Sequence, residues 1–206
     1  MDLCSICALK GCQSNDKTKM PVKCPSLVPE VADFAASYTG DTLAFATAAA
    51  KLEKEGYDKY TRIEETIQLI LKMGYQKVGF AFCMGLKKEM EVLHKIFSGR
   101  GFEVHSVGCK CGSISKDILG PKEDFFIKPH KDFESLCNPI GQAIYLNKCG
   151  TEFNVMIGLC VGHDTLFLQN AAAPATVLAV KDRITGHNPL MPVYLVEGYY
   201  KRLLKK

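Results

Sequence analysis

From Lys77 onward the chain alternates between short, nearly continuous apolar runs and longer stretches in which apolar residues recur every three or four positions. The run Lys77-Val78-Gly79-Phe80-Ala81-Phe82 predicts a buried strand. Leu86, Met90, Leu93 and Phe97 follow at helical spacing, with a stop around Gly99. Residues 102–107 predict a second strand, a long loop spans 112–134, and a helix runs over about 138–147. A third strand is expected at 152–157, a helix after His163, a fourth strand at 175–180, and a closing C-terminal helix rich in Tyr and Leu. Strands with little polar interruption, alternating with helices, predict an α/β fold: an open parallel sheet of about four strands with helices on both faces, Rossmann-like.

The first third reads differently. A helix is expected over 41–55, rich in Ala, carrying Leu43 and Leu52 and stopping at Gly56. A second begins at Thr61, where Thr61 and Glu64 have capping-box spacing; Ile63, Ile67, Ile70 and Leu71 share one face, and Gly74 ends it. Residues 1–25 hold two prolines and very few large apolar groups, too little to order a segment by burial alone. They also hold Cys4, Cys7, Cys12 and Cys24, separated by two, four and eleven residues. Four thiolates at such spacings can close one tetrahedral or cubane site, and metal binding would supply the missing folding free energy. The expected organisation is therefore a cysteine-rich metal-binding segment, 1–25, followed by an α/β domain, 26–206.

Composition narrows the chemistry. With 206 residues, 47% of them hydrophobic, the chain can build one good core. The net charge of +4 is interspersed, apart from Lys201, Arg202, Lys205 and Lys206 at the end, and residues 1–25 contain no aromatic group on which a base could stack. Nucleic acid is therefore a disfavoured partner. The start Met1-Asp2-Leu3-Cys4 lacks the basic and apolar regions of a signal peptide, and no apolar stretch approaches the roughly 20 residues of a membrane span. A cytoplasmic location is expected, and there ten cysteines point to metal ligation or redox chemistry rather than to disulfides.

In a parallel sheet the loops that follow the strands gather at one edge, where open α/β proteins bind ligands. Cys83 follows the first expected strand, Cys109 and Cys111 the second, and Cys160 the third, while Cys137 precedes the helix after the second strand. These five cysteines are expected to line one cofactor site. Cys149 ends a helix at the opposite edge and reads as a packed structural thiol. His163 and Asp164 follow Cys160 and are candidates for moving protons. Lys181 and Arg183, with His187 and Asn188 beyond them, follow the fourth strand as candidates for neutralising charge. Helix N-termini near Cys83, Cys137 and Cys160 would favour thiolates and anionic ligands. The loop at 116–134 reads as a lid over this edge or as a packed excursion.

The order Cys4-x-x-Cys7, Cys12, Cys24, Phe82-Cys83-x-Gly85-Leu86, Cys137-Asn138-Pro139-Ile140, Gly158-Leu159-Cys160-Val161-Gly162-His163-Asp164 and Val180-Lys181-Asp182-Arg183 through Gly186-His187-Asn188-Pro189 resembles a family. It is that of the predicted metal-binding bacterial and archaeal proteins catalogued as domain of unknown function 1847. The resemblance covers nearly the whole chain and implies a metal-binding group at Cys4, Cys7, Cys12 and Cys24. It implies no reaction.

Zinc and iron–sulfur clusters both take thiolates. The expected cofactor is a [4Fe–4S] cluster at one or both cysteine groups, with zinc as the alternative at the N-terminal group. At the edge, Cys83, Cys137 and Cys160 are favoured ligands, with Cys109 or Cys111 next. The function expected is a redox or sulfur-handling activity on a small anionic or sulfur-containing substrate, served by an electron donor. The alternatives are a zinc-stabilised, non-catalytic binding module and metal-free disulfide exchange at Cys109 and Cys111. No GxxxxGK[ST], GxGxxG after the first strand, GxSxG or HExxH occurs, so the chemistries those motifs serve are unsupported.

Overall fold

The computed structural model describes residues 4–204; Met1 to Leu3 and, of the basic end, Lys205 and Lys206 lie outside them. The chain divides into two compact units, one reaching Lys59 and one starting at Tyr60.

The first unit opens with short helical turns, Cys4–Ile6, Gly11–Ser14, Lys17–Lys19, Pro25–Leu27, Pro29–Ala32 and Phe34–Ser37. Polar contacts fix the early ones: the Asp16 carboxylate accepts from the Thr18 N–H at 3.1 Å and pairs with Lys19 at 3.0 Å. Gly11 is required by close approach, since a Cβ there would stand 2.6 Å from the Asp16 carbonyl oxygen. Helix α1, Gly40–Gly56, closes the unit and buries Ala48, Leu52 and Gly56.

The second unit begins with helix α2, Arg62–Met73, whose start is the expected capping box. The Thr61 hydroxyl accepts from the Glu64 N–H at 3.3 Å, and the Glu64 carboxylate accepts from the Thr61 N–H at 2.7 Å. Gly74 ends the helix in the left-handed region at φ 73°. Four strands follow: β1 Lys77–Phe82, β2 Glu103–Gly108, β3 Phe153–Leu159 and β4 Ala175–Val180. All are parallel, in the order β2-β1-β3-β4. Helix α3, Lys87–Ser98, links β1 to β2; α4, Pro139–Cys149, precedes β3; and α5, His163–Asn170, links β3 to β4.

Alternation along β1 sends Phe80 and Ala81 to opposite faces. Phe80 meets Phe97 of α3 edge-on, ring centroids 4.9 Å apart. On the other face Ala81, Val107, Met156 and Leu159 pack with Ala143 and Leu146 of α4 and Phe167 of α5. Helices thus cover both faces of the sheet. This explains why β3 is buried along its whole length, and why its sequence lacks the alternation of a half-exposed strand.

One stretch differs from expectation, and another takes one of the two forms expected of it. The C-terminal segment forms only the turns Met191–Tyr194 and Lys201–Leu204. Gly198 falls between them, and Tyr194, Tyr199, Leu203 and Leu204 stand exposed, so a continuous helix there would have no apolar face to bury. The long loop is a pinned excursion. A Ser115–Ser135 bridge closes its base, Lys116 pairs with Glu134, and the Lys128 N–H donates to the same carboxylate at 3.1 Å.

Candidate functional site

Parallel register brings the first two thiols together. Phe82 lies opposite Gly108 in β2 and Ile157 in β3, so Cys83 and Cys109 leave neighbouring strands side by side. The ladder runs one step further at each: the Cys109 N–H donates to the Phe82 carbonyl and the Cys83 N–H to the Ile157 carbonyl, both at 2.9 Å. Cys137 arrives from the excursion, one residue before Asn138, the N-cap of α4.

Three sulfurs meet there. Cys137 Sγ lies 3.9 Å from Cys109 Sγ, and Cys109 also hydrogen-bonds with Cys83. Cys109 is the sulfur common to both contacts, and its single S–H can serve only one of them at a time. It is 4% exposed, and the hydrogen bonds to Cys137 and Cys83, together with burial, push its thiol strongly up. Its neighbours go the other way. The Cys109 hydrogen bond brings Cys83 down to about 5 against the opposing effect of burial, helped by the Gly85 N–H and the Lys181 charge. Cys137 falls to about 5 for the same first reason, with Lys110 and His163 adding to it. The metal-free arrangement thus favours a proton on the buried Cys109 and its loss from the neighbours.

The surrounding charges are positive. Arg183 donates to Cys160 Sγ at 3.7 Å, and Cys160, followed by Cys83 and Cys137, raises the guanidinium's affinity for its proton. Lys181 reaches Cys83 past two glycines. A Cβ on Gly85 would stand 3.1 Å from the Lys181 ammonium and 3.7 Å from Cys83 Sγ, and one on Gly158 would stand 3.8 Å from Lys181 Cδ. Gly158 also has φ 64°, at the bulge where β3 slips against β4. Cys160 itself sits before α5, its carbonyl accepting from the His163 and Asp164 N–H groups at 2.9 and 3.1 Å.

The other expected groups are placed elsewhere. The Cys111 thiol donates to the Asn138 carbonyl at 3.6 Å and packs against the core, and burial raises it. Asp164 accepts from the Thr165 N–H at 2.8 Å, within its own helix turn. His187 accepts from the Asp182 N–H at 3.1 Å through Nδ1, closing the loop after β4. Among the described residues, no three His, Cys, Asp or Glu side chains are arranged so as to hold one metal ion.

Lys110 and Gln142 took no part in the sequence-based expectation, and Asn138 only as a member of a motif, yet all three shape this edge. Lys110 stands between the two cysteines of a Cys-x-Cys pair, and Gln142 interrupts an apolar helix face shared with Ala143 and Leu146. Both were visible as polar residues in apolar or thiol-rich surroundings.

In the first unit Cys4, Cys7, Cys12 and Cys24 all line one cavity of about 730 Å³, together with Met20 and Val22. Cys4 and Cys12 are exposed and the other two half-buried.

The profile of the family described as "Protein of unknown function (DUF1847)" matches residues 24–178. That stretch includes Cys24 and the three sulfurs in contact, and stops before Lys181. A protein of Methanocaldococcus jannaschii, "Uncharacterized protein MJ0455", is 44% identical over 166 residues, which are 80% of this chain and 82% of that protein. No solved structure matches the chain.

Proposed function

We propose that this chain, which belongs to the family of proteins of unknown function DUF1847, is an iron–sulfur protein with a redox or sulfur-handling activity at the edge of its sheet. The observation that carries the reading is the meeting of Cys83, Cys109 and Cys137, from two separate crossings, with Lys110 and Lys181 beside them.

The donor set is all sulfur. Thiolates select soft or borderline metals, and three of them can hold a cluster that keeps one iron open. When bound, such a cluster supplies one-electron transfer and an open coordination position. An anionic cluster on three thiolates needs compensating charge, and Lys110, Lys181 and Arg183 would provide it. The same cations would draw a small anionic or sulfur-containing substrate to the edge, and His163 is the group we assign to moving protons there. Cys160, held by the same Arg183 that feels Cys83 and Cys137, is a further thiol that could complete the ligand set.

In the first unit the cavity bordered by Cys4, Cys7, Cys12 and Cys24 supports a second metal group. The cavity's size does not choose between zinc and a cluster; the cysteine richness of the chain is what favours a cluster. One observation favours a second reading, a zinc-stabilised module that docks a partner: Ile6, Leu9 and Val22 are exposed beside these cysteines.

Metal and acid-labile sulfide analysis of full-length protein, purified without oxygen, separates the two. The iron–sulfur reading expects iron and sulfide in equal amounts. Zinc without sulfide would favour the docking module and remove the redox activity.

A further inference from the structure

Gln142 is wholly buried on the first turns of α4, and its side chain is spent on the backbone of two strands. The amide Nε2 donates to the Phe82 carbonyl at 3.2 Å and to the Val107 carbonyl at 2.8 Å. Both acceptors being carbonyls, the nitrogen must face them, which leaves Oε1 buried without a hydrogen-bond partner among the described residues. A buried amide with an unpartnered oxygen is costly, and a leucine would fill the space without that cost. What the amide holds is therefore the reason for its presence.

Those two carbonyls sit one residue before Cys83 and two before Cys109, and α4 is the helix that begins just after Cys137. One side chain thus ties together the three elements that deliver the three sulfurs. A second bracket on the same helix works alongside it. Asn138 donates its N–H to the Cys109 carbonyl at 2.7 Å and its Nδ2 to the Cys111 carbonyl at 3.3 Å, and its Oδ1 accepts from the Gly141 N–H at 2.8 Å.

We propose that Gln142 is the positioning residue of the edge centre, fixing the spacing of Cys83, Cys109 and Cys137 through the ends of β1 and β2. It touches none of the sulfurs; it acts through the backbone that carries them, as outer-shell groups orient metal ligands. The inference rests on the three thiols working as one centre, and not on what they bind.

The test uses full-length protein after chelation, alkylated with iodoacetamide, with the rate at each of Cys83, Cys109 and Cys137 read by peptide mass spectrometry. Gln142→Leu removes both donors at similar volume. Leu146→Ala, one turn further along α4 and equally buried, is the control for loss of packing alone. In Gln142→Leu, Cys109 is expected to react about tenfold faster relative to Cys83, because the thiols separate and their shared hydrogen bonds weaken. Leu146→Ala should lower the melting temperature but leave the ratio within about twofold. An unchanged ratio in Gln142→Leu, or the same change in both variants, overturns the proposal. Should Gln142→Leu not fold, Gln142→Met, longer and more adaptable, is read by the same criteria. Absence of iron in the native protein would overturn the cofactor reading and leave this ratio untouched.

Discussion

Cys109 stands between Cys137, 3.9 Å away sulfur to sulfur, and Cys83, and hydrogen-bonds with both. A buried thiol that keeps its proton is what lets two half-exposed neighbours lose theirs.

Removing that thiol should therefore be felt at the neighbours. In metal-free protein the thiols of Cys83 and Cys137 are drawn down to about 5, so at pH 6.5 they should be far more reactive than ordinary thiols and lose that reactivity as the pH falls through about 5. Cys109→Ala takes away the largest cause of that depression, so both should move up towards the ordinary thiol range. Their alkylation at pH 6.5 should slow by about tenfold or more. Equal rates in the two proteins would show that Cys109 does not set its neighbours' protonation.

Lys181 acts on one of the two thiolates more than the other. It contributes to Cys83, whereas Lys110 and His163 contribute to Cys137. Lys181→Met should slow alkylation of Cys83 by roughly two- to fivefold and leave Cys137 nearly unchanged. Equal slowing at both sites would contradict this division of charge. Gly85→Ala should act in the same direction, because its methyl group would crowd the Lys181 ammonium.

The excursion that delivers Cys137 has its own pH dependence. The Lys116 ammonium beside Glu134 holds that carboxyl at about 2, below its ordinary value of 4.5. A carboxylate depressed on folding stabilises the folded form above its unfolded value and loses that contribution as the pH falls towards the folded one. The excursion should resist proteolysis at pH 5 and above and loosen between about 4.5 and 2. Glu134→Gln should be loose already at pH 7, and hydrogen exchange across residues 112–137 reads both. Full protection in the variant would show that the pair is dispensable.

The opposite face of the sheet offers a contrast. Phe97 is fully buried and meets Phe80 edge-on, away from the side that packs on α4. Phe97→Ala should cost about 3–5 kcal/mol of stability, read by denaturant unfolding. The relative reactivity of the three edge thiols should survive it. A change in those ratios as large as that in Cys109→Ala would mean that the edge has no local control.

Much of the sheet was legible because β1, β3 and β4 are nearly continuous apolar runs, as a doubly covered parallel sheet requires, while β2, Glu103–Gly108, is a more polar edge strand. The start of α2 was legible for a local reason, since Thr61 and Glu64 satisfy each other within four residues. The gathering of Cys83, Cys109 and Cys137 followed from the parallel order. What each thiol touches did not, because it is decided by long-range contacts. Cys111 and Cys109 are one residue apart, yet one donates to the Asn138 carbonyl and the other faces two sulfurs. The choice is made by the Asn138 and Gln142 brackets on a helix some thirty residues downstream. The C-terminal segment misled for a related reason: its Tyr and Leu content suits a helix, but packing partners decide whether one forms.

The central claim is that the edge sulfurs hold a cluster. Iron and acid-labile sulfide content, with electron paramagnetic resonance after reduction, can be compared in oxygen-free native protein and in a variant with Ala at Cys83, Cys109 and Cys137. The account predicts that the native protein carries both elements and that the variant loses one cluster's worth of each, along with one reduced-state signal. A native protein devoid of iron and sulfide, or a variant that retains all of both, would contradict it.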